Sequence, residues 1–527
     1  MRQEMEALRK EMREKDAEIE RLRAEVEAHR GGTTSAPVTV AVAPRRNAEM
    51  TTATEAATHA GPPTPSAKEE RKPVVAAASL KPVQGPDAIR YRGIEIRPTG
   101  FFAFESVFRS KSMSADINTP FLSTPYPGSE LAHVREFSPS ARQSRVGLLA
   151  NGQFGGVKLS GYVETDFLGV GATSNNNLSN SYVMRIRQAF GQATWRRGLT
   201  LTAGQTWTLL TENAVGTDVR TETAPQNIDP AQHVGFSWSR QPGIRVQQRI
   251  GLHGTIAASL EQTETLYSGT NAPTNFFFAA SGNGGGTYNP GAIYSNSSAP
   301  DVITKFAYDR GHTHTEVGGL MRFFMNRYYP SAGAGQNDTH VGGGFFVSTH
   351  VPVFRNFDVG AKMLMGYGVN RYSASGLPDV TVTPDGRLQP IRGAQGLLRV
   401  MYHATHKLDL FGYAGVEYAQ RTYSANGAGT LVGYAPPTMN NTGCNVELPP
   451  TGNSGVSSGA IANCVGATRA VQAGSIGYQY RFYEGPHGRL QTSVVYTRLT
   501  RDGWTGIGGA PHAGNNMVFT SFRYVLP

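Results

Sequence analysis

The chain has 527 residues, of which 62 are glycine and 17% are charged, and its formal net charge is +10. No apolar run reaches the length of about 18 to 20 residues that a membrane-spanning helix needs, so the composition excludes a bundle of transmembrane helices. Residues 1–89 contain 14 basic and 14 acidic residues, and the whole positive excess therefore lies after residue 89.

The first segment predicts a short coiled coil. Its apolar residues recur at alternating spacings of four and three, as the core positions of a heptad do. We assign residues 1–30 to an α-helical coiled coil for self-association, with a single charged helix as the alternative. The segment has no apolar signal-peptide core, so we expect an exported form to carry a signal upstream. The core positions are Met1, Met5, Leu8, Met12, Lys15, Ile19, Leu22 and Val26.

Residues 31–89 are rich in Ala, Thr, Pro and Ser, with scattered charge. Such a composition cannot bury enough apolar surface to form a core, and it predicts a disordered linker.

From residue 90 the hydrophobic pattern acquires a period of two, which predicts β-strands. Pro242 makes one of these segments uncertain, so that only its second half is expected to pair fully. Sixteen strands are predicted: 97–109, 144–152, 157–168, 182–196, 199–209, 234–250, 253–264, 301–309, 313–326, 339–351, 356–370, 392–404, 407–423, 468–482, 488–499 and 516–526.

The connections between these strands alternate between short and long. An even number of strands with this alternation is typical of an outer-membrane barrel, which has short periplasmic turns and long external loops. The fold class predicted for residues 90–527 is therefore all-β, a 16-stranded antiparallel transmembrane β-barrel in the outer membrane of a Gram-negative bacterium, preceded by the coiled coil and the linker. A soluble sandwich or propeller is disfavoured, because one face of the strands collects charge.

The stretch YVMRIRQAFGQATWRRGLTLTAGQTW, residues 182–207, shows the two faces. We expect five residues to face lipid: Met184, Ile186, Phe190, Leu199 and Leu201. Four others should face a watery interior: Arg185, Arg187, Thr202 and Thr206. Trp195 and Trp207 are expected at the bilayer interface, where aromatic residues concentrate.

Three segments, SRVGLLANGQFGGVKLSGYVETDF, RIRQAFGQATWRRGLTLTAGQTWTLL and SRQPGIRVQQRIG, resemble strands of the DcaP-like porins of Gram-negative bacteria. The resemblance covers roughly residues 90–527 and is strongest at 144–251. It implies a homotrimeric, sixteen-stranded porin that prefers small anions such as dicarboxylates. The family also has a coiled coil before its barrel. Phosphate-selective porins are a more distant likeness.

The third long connection, 210–233, is expected to fold into the barrel as a constriction loop. Its charged residues should face a basic wall that attracts anions, because a ring of cationic side chains selects for anions. The alternative is that the wall arginines pair with nearby acids and only brace the barrel. The loop residues are Glu212, Asp218, Arg220, Glu222 and Asp229, and the wall candidates are Arg145, Arg185, Arg187, Arg245, Arg249, Arg399, Arg489, Lys305 and Lys362.

Cys444 and Cys464 lie in one Gly- and Asn-rich segment and predict a disulfide, with two free thiols as the alternative. No catalytic motif or metal-ligand spacing is present, so the predictions are no enzyme activity, no cofactor and no metal. The expected partners are outer-membrane lipid, other copies of the chain and small anionic solutes, but not nucleic acid. A second hypothesis is an adhesin, or a barrel anchored to the cell wall or another periplasmic partner through the N-terminal helix.

Overall fold

The structure is a computed structural model that describes residues 88–169, 174, 179–279, 295–449 and 463–527. The coiled coil predicted for residues 1–30 lies outside these ranges. So does the predicted linker 31–89, except for its last two residues. Ile89 already belongs to a strand, Ile89–Tyr91, that pairs with Ile94–Ile96.

Within the described residues, sixteen antiparallel strands form a closed barrel. Each strand pairs with the next in the chain, and the last strand pairs with the first through Phe101 opposite Val525, so the sheet has no free edge. The strands are β1 Ile94–Arg109, β2 Arg145–Phe154, β3 Val157–Gly169, β4 Val183–Thr194, β5 Leu199–Trp207, β6 Arg240–Ile250, β7 Gly254–Glu261, β8 Asp301–Arg310, β9 Thr313–Tyr328, β10 Gln336–Phe354, β11 Phe357–Tyr367, β12 Arg392–His403, β13 Leu408–Ala419, β14 Thr468–Gly485, β15 Gly488–Gly503 and β16 His512–Val525.

The predicted sixteen-stranded barrel is confirmed, and every predicted strand overlaps one observed strand. The segment 234–250 was predicted too long, because the strand begins only at Arg240. Residues before it belong to a loop inside the barrel.

Short elements occupy the long connections. Glu136–Ser140 pairs with β1, and Phe276–Phe277 pairs with β9. Two small hairpins join Val380–Val382 to Leu388–Pro390 and Thr422–Ala425 to Leu431–Tyr434. The described residues also contain 3₁₀ turns at Phe121–Ser123, Glu130–Ala132 and Asn370–Tyr372. No helix in the described ranges is long and apolar enough to cross a membrane.

The outward side chains of the strands are apolar and exposed. Phe102, Phe104, Met184 and Ile186 are each 56–60% exposed, while the alternating residues Ala103, Glu105 and Arg187 are buried. A continuous apolar outer surface of this kind is suited to contact with the hydrocarbon chains of a lipid bilayer. Because the closed sheet satisfies its backbone groups internally, the strands can cross a bilayer.

Two aromatic residues face the opposite way from the sequence prediction. Phe190 was expected in lipid, but it is buried inside against Leu149 and Tyr162. The ladder between β3 and β4 is irregular between Glu164 and Thr165, where Gln188 and Ile186 are the successive partners. This bulge places both Arg187 and Gln188 in buried positions and reverses the phase toward Phe190. Trp207, expected at the bilayer interface, packs inside near Phe236 and Trp238, with ring centroids 6.4 and 5.9 Å away.

Candidate pore and constriction loop

The connection from β5 to β6, residues 208–239, folds into the barrel, and we call it the inner loop. Its first part is anchored on the inner wall, where Leu209 and Leu210 are fully buried. They join an apolar cluster with wall residues from five consecutive strands, β7 to β11. Those residues are Ala257, Ile303, Leu320, Phe346 and Leu364.

The middle of the inner loop is a hairpin. Ala214 N donates to Thr221 O, and Thr223 N donates to Glu212 O, both at 2.7 Å. Its tip reaches the wall formed by β2, β3 and β4, where Val219 packs with Leu149, Tyr162 and Phe190. The guanidinium of Arg220 lies 4.4 Å from the centre of the Tyr162 ring.

The last part of the inner loop packs on β12, β13 and β14. Gly235 N donates to Glu417 Oε1 at 2.7 Å, and the His233 ring is hydrogen-bonded to Ser475 Oγ at 2.9 Å. The contact is so close that a Cβ on Gly415 would lie 1.7 Å from Val234 O. The loop therefore contacts the wall on several sides and narrows the lumen.

Three of the predicted wall cations are covered by the inner loop. Lys305 donates to Thr211 O at 2.8 Å and pairs with Glu316, and Lys362 donates to Leu210 O at 2.5 Å. Arg245 donates to the carbonyls of Thr217 and Trp207 at 3.2 and 2.7 Å. A buried cation needs acceptors, and here the carbonyls of the inner loop and of Trp207, the residue before it, supply them. These three side chains therefore anchor the inner loop and do not face the solution in the pore.

Arg187 likewise has a structural role, because it is paired with carboxylates of the barrel wall. Its side chain is 4% exposed and contacts Glu164 at 2.7 Å and Asp166 at 2.8 Å. Arg185 contacts the same Asp166 at 2.7 Å. The alternative that wall arginines pair with Glu164 and Asp166 thus describes this part of the wall.

Other predicted cations are more open. Arg145 retains 26% exposure and lies 3.6 Å from Glu164. Arg399 is 14% exposed and pairs with the loop carboxylate Glu212 at 3.2 Å. Arg489 is partly buried on β15, and Arg249 is exposed near the turn end of β6.

Sequence reasoning missed three arginines that belong to the same interior. Arg523 of β16 pairs with the buried Glu105 at 2.6 Å, and both Arg523 and Arg145 lie over the Phe101 ring, at 4.7 and 4.9 Å. The guanidinium of Arg240 lies beside both Trp207 and Trp238, 5.4 and 5.6 Å from the centres of their rings. Arg97 pairs with Glu95 on β1. The alternation of apolar and polar residues in β1 and β16 could have indicated that Arg97 and Arg523 face the interior. Arg240 was missed because Pro242, two residues later, made the inward and outward positions of this strand hard to assign.

The acids of the inner loop do not share one role. Asp218 accepts from Gln192 Nε2 at 2.7 Å. Asp229, expected to face the basic wall, instead accepts from the backbone amides of Thr119 and Ala231 at 3.1 and 2.9 Å. It joins two loops to each other, because its short side chain satisfies amides that would otherwise be unpaired.

Glu222 is expected to make the stability of the inner loop depend on pH. Its Oε1 is buried without a hydrogen-bond partner, and burial raises its pKa from 4.5 to about 7, partly opposed by Arg245. A carboxyl with a raised folded-state pKa binds its proton more tightly when folded, so stability falls as pH rises between about 4.5 and 7.

We expect Glu222→Gln to remove that loss. The variant should unfold at a higher temperature than the parent at pH 8, and the difference should shrink toward zero at pH 4.5. Thermal unfolding followed by circular dichroism in detergent measures both. The matched control is Glu447→Gln, an exposed carboxyl outside the inner loop. An equal unfolding temperature for the Glu222 variant and its parent at pH 8 would contradict the assignment.

Cys444 and Cys464 form a disulfide across 20 positions of the chain. The pair closes one long connection between β13 and β14. We expect both thiols to resist alkylation until a reductant is added, with mass spectrometry of the intact chain as the readout. Alkylation of the untreated folded chain at both positions would show that the bridge is absent.

The described residues contain no group of three or more His, Cys, Asp or Glu placed to hold a metal ion. No protein-family model matches the sequence, and a search of curated proteins gives no match.

Solved structures do resemble this chain. The outer membrane channel DcaP of Acinetobacter baumannii aligns with a TM-score of 0.58 at 15% identity, over 83% of this chain and 99% of that one. This chain has the DcaP fold. Salmonella typhi OmpF aligns with a TM-score of 0.43 at 9% identity, over 83% of this chain and 100% of that one. Pseudomonas putida OprB aligns with a TM-score of 0.42 at 9% identity, over 81% and 94%.

The barrel itself indicates the membrane. A closed antiparallel barrel with an even number of strands, an apolar exterior and a polar interior is the architecture of outer-membrane proteins of Gram-negative bacteria. The chain is therefore located in the outer membrane, and barrels of this kind have their short turns on the periplasmic side.

Proposed function

We propose that the chain is a homotrimeric porin for passive diffusion of small hydrophilic solutes, with a preference for anions such as dicarboxylates. The supporting observation is the partly exposed arginines on the inner wall, led by Arg145 and Arg523 over one Phe101 ring. A planar guanidinium stays charged and can hold a carboxylate through two hydrogen bonds.

The distribution of charge inside the barrel supports the same proposal. Of the inner-loop acids, Glu212 pairs with Arg399, and Asp229 accepts backbone amides. On the wall, the carboxylates of Glu164 and Asp166 each contact arginines. Three arginines, Arg145, Arg185 and Arg187, surround these two carboxylates. Solute that passes this region therefore meets an excess of positive charge, which favours an anion over a cation.

Liposome swelling tests the proposal. Vesicles that contain the purified chain should swell in succinate faster than in putrescine, a diamine of similar size. A porin without charge preference would admit both at similar rates. Vesicles that swell in neither solute would contradict a diffusion channel and would favour the adhesive or anchoring role.

A further inference from the structure

A second cluster of basic side chains lies at the end of the interior that carries the short turns, away from the arginines over Phe101. It surrounds a cavity of about 660 Å³ between β1, β2, β3 and the tip of the inner loop. The register places it at the turn end, since Glu95 lies opposite Asn151 and Lys158 opposite Gln153. Ligand pockets commonly have volumes of roughly 300–1,000 Å³.

The charge of this cavity is strongly unbalanced. Its lining includes four cations, Arg90, Arg97, Lys158 and Arg220, and one carboxylate, Glu95. Glu95 is paired with Arg97. Within the described ranges, Arg90, Lys158 and Arg220 have no carboxylate within ion-pair distance.

Each of these cations is placed by a different part of the fold. Lys158 is an exposed inward residue of β3, and Arg90 comes from the short strand before β1. Arg220 is held over Tyr162 and has a left-handed backbone, with φ 68°. An arginine rarely adopts this conformation. The hairpin of the inner loop thus brings a positive charge to a wall that already has three, Arg90, Arg97 and Lys158.

Neutral polar groups complete the lining. Asn151, Gln153 and Ser160 belong to the same cavity. Ser160 Oγ donates to Asn151 Oδ1 at 2.8 Å, so the Asn151 amide nitrogen remains a donor. Several donors around an open volume suit a ligand with many acceptor oxygens.

We propose that this cavity is a binding site for a small oxyanion with two or more negative charges, built from carboxylate or phosphate groups. It retains such an anion at the periplasmic end of the pore, where Lys158 and Arg220 provide the principal contacts. Its role in transport rests on the proposed porin function, whereas its affinity for the anion does not.

Titration calorimetry of the full chain in detergent tests the site without any need for conductance. The probes are citrate and inorganic pyrophosphate, which distinguish carboxylate from phosphate, with acetate as the monovalent comparison. Citrate, pyrophosphate or both should bind, and acetate should bind far more weakly. Lys158→Gln and Arg220→Gln should each raise the dissociation constant about tenfold, the expected loss for one charge-assisted hydrogen bond.

Two further variants control for charge and folding. Arg355→Gln removes an exposed cation in the turn between β10 and β11, outside the cavity, and should bind like the parent. Lys158→Arg keeps the charge and should retain binding. Absence of binding to the parent, or equal binding by the parent and both Gln variants, would overturn the site. A swelling-active, anion-preferring chain that binds neither probe would remove the site and leave the porin proposal intact.

Discussion

Gly415→Ala is expected to release part of the inner loop and to raise single-channel conductance about twofold or more. A Cβ at this position would lie 1.7 Å from Val234 O, a contact with backbone that no rotamer change relieves. The segment around His233 must then leave β13. A sixteen-stranded barrel without an inward loop has a wide aqueous channel, and the open area therefore increases. Planar-bilayer recording of the purified variant measures the change.

The control for this experiment is Gly474→Ala. Gly474 lies on the neighbouring strand β14, opposite Ala414, and a Cβ there meets no atom within 4 Å. Its conductance should equal that of the parent. Lys362→Met provides a second way to release the inner loop, because it removes the hydrogen bond to Leu210 O without adding bulk. Parent-like conductance and unfolding temperature in both Gly415→Ala and Lys362→Met would mean that the loop does not pack on the wall as described.

Arg145→Gln is expected to lower the ratio of anion to cation permeability by about threefold or more. A unit charge roughly 6 Å from a passing ion changes its energy by about 0.7–3 kcal/mol, depending on screening. Arg145 is suited to this test because Glu164 keeps its contact with Arg187 after the change. Reversal potentials in a salt gradient report the ratio, and Arg145→Glu should move it further in the same direction.

The variant Arg355→Gln removes the same charge from an exposed turn and should leave the reversal potential unchanged. Arg187→Gln should behave differently from Arg145→Gln. It breaks contacts to Glu164 and Asp166, so its main effect is lower stability. Equal reversal potentials for Arg145→Gln and the parent would exclude Arg145 from the ion path.

The barrel could be predicted from the sequence because its signals are local. Alternation shows which residues prefer lipid, and tight turns such as Gly155-Gly156 fix where a strand reverses. Which residues of a strand point inward was less predictable, because a single bulge near Arg187 turned the Phe190 side chain from the outer to the inner face. Pro242 similarly hid the start of β6 at Arg240.

For the interior, the sequence could predict which residues face inward but not which groups they contact. The alternation placed Lys305, Lys362 and Arg245 on the inner face, but it could not show that the inner loop would cover them. Their partners are carbonyls of Thr211, Leu210 and Trp207, and a backbone carbonyl has no signature in a sequence. The cavity with Lys158 and Arg220 was also invisible, since these residues are 62 positions apart and meet only through the loop.

The most direct measurement is the zero-current potential of the purified parent chain in a planar bilayer with a potassium chloride gradient. Stable open channels and a reversal potential on the chloride side of zero are expected. Membranes that stay silent, or channels whose potential lies on the potassium side, would contradict an interior that is open to water and favours anions.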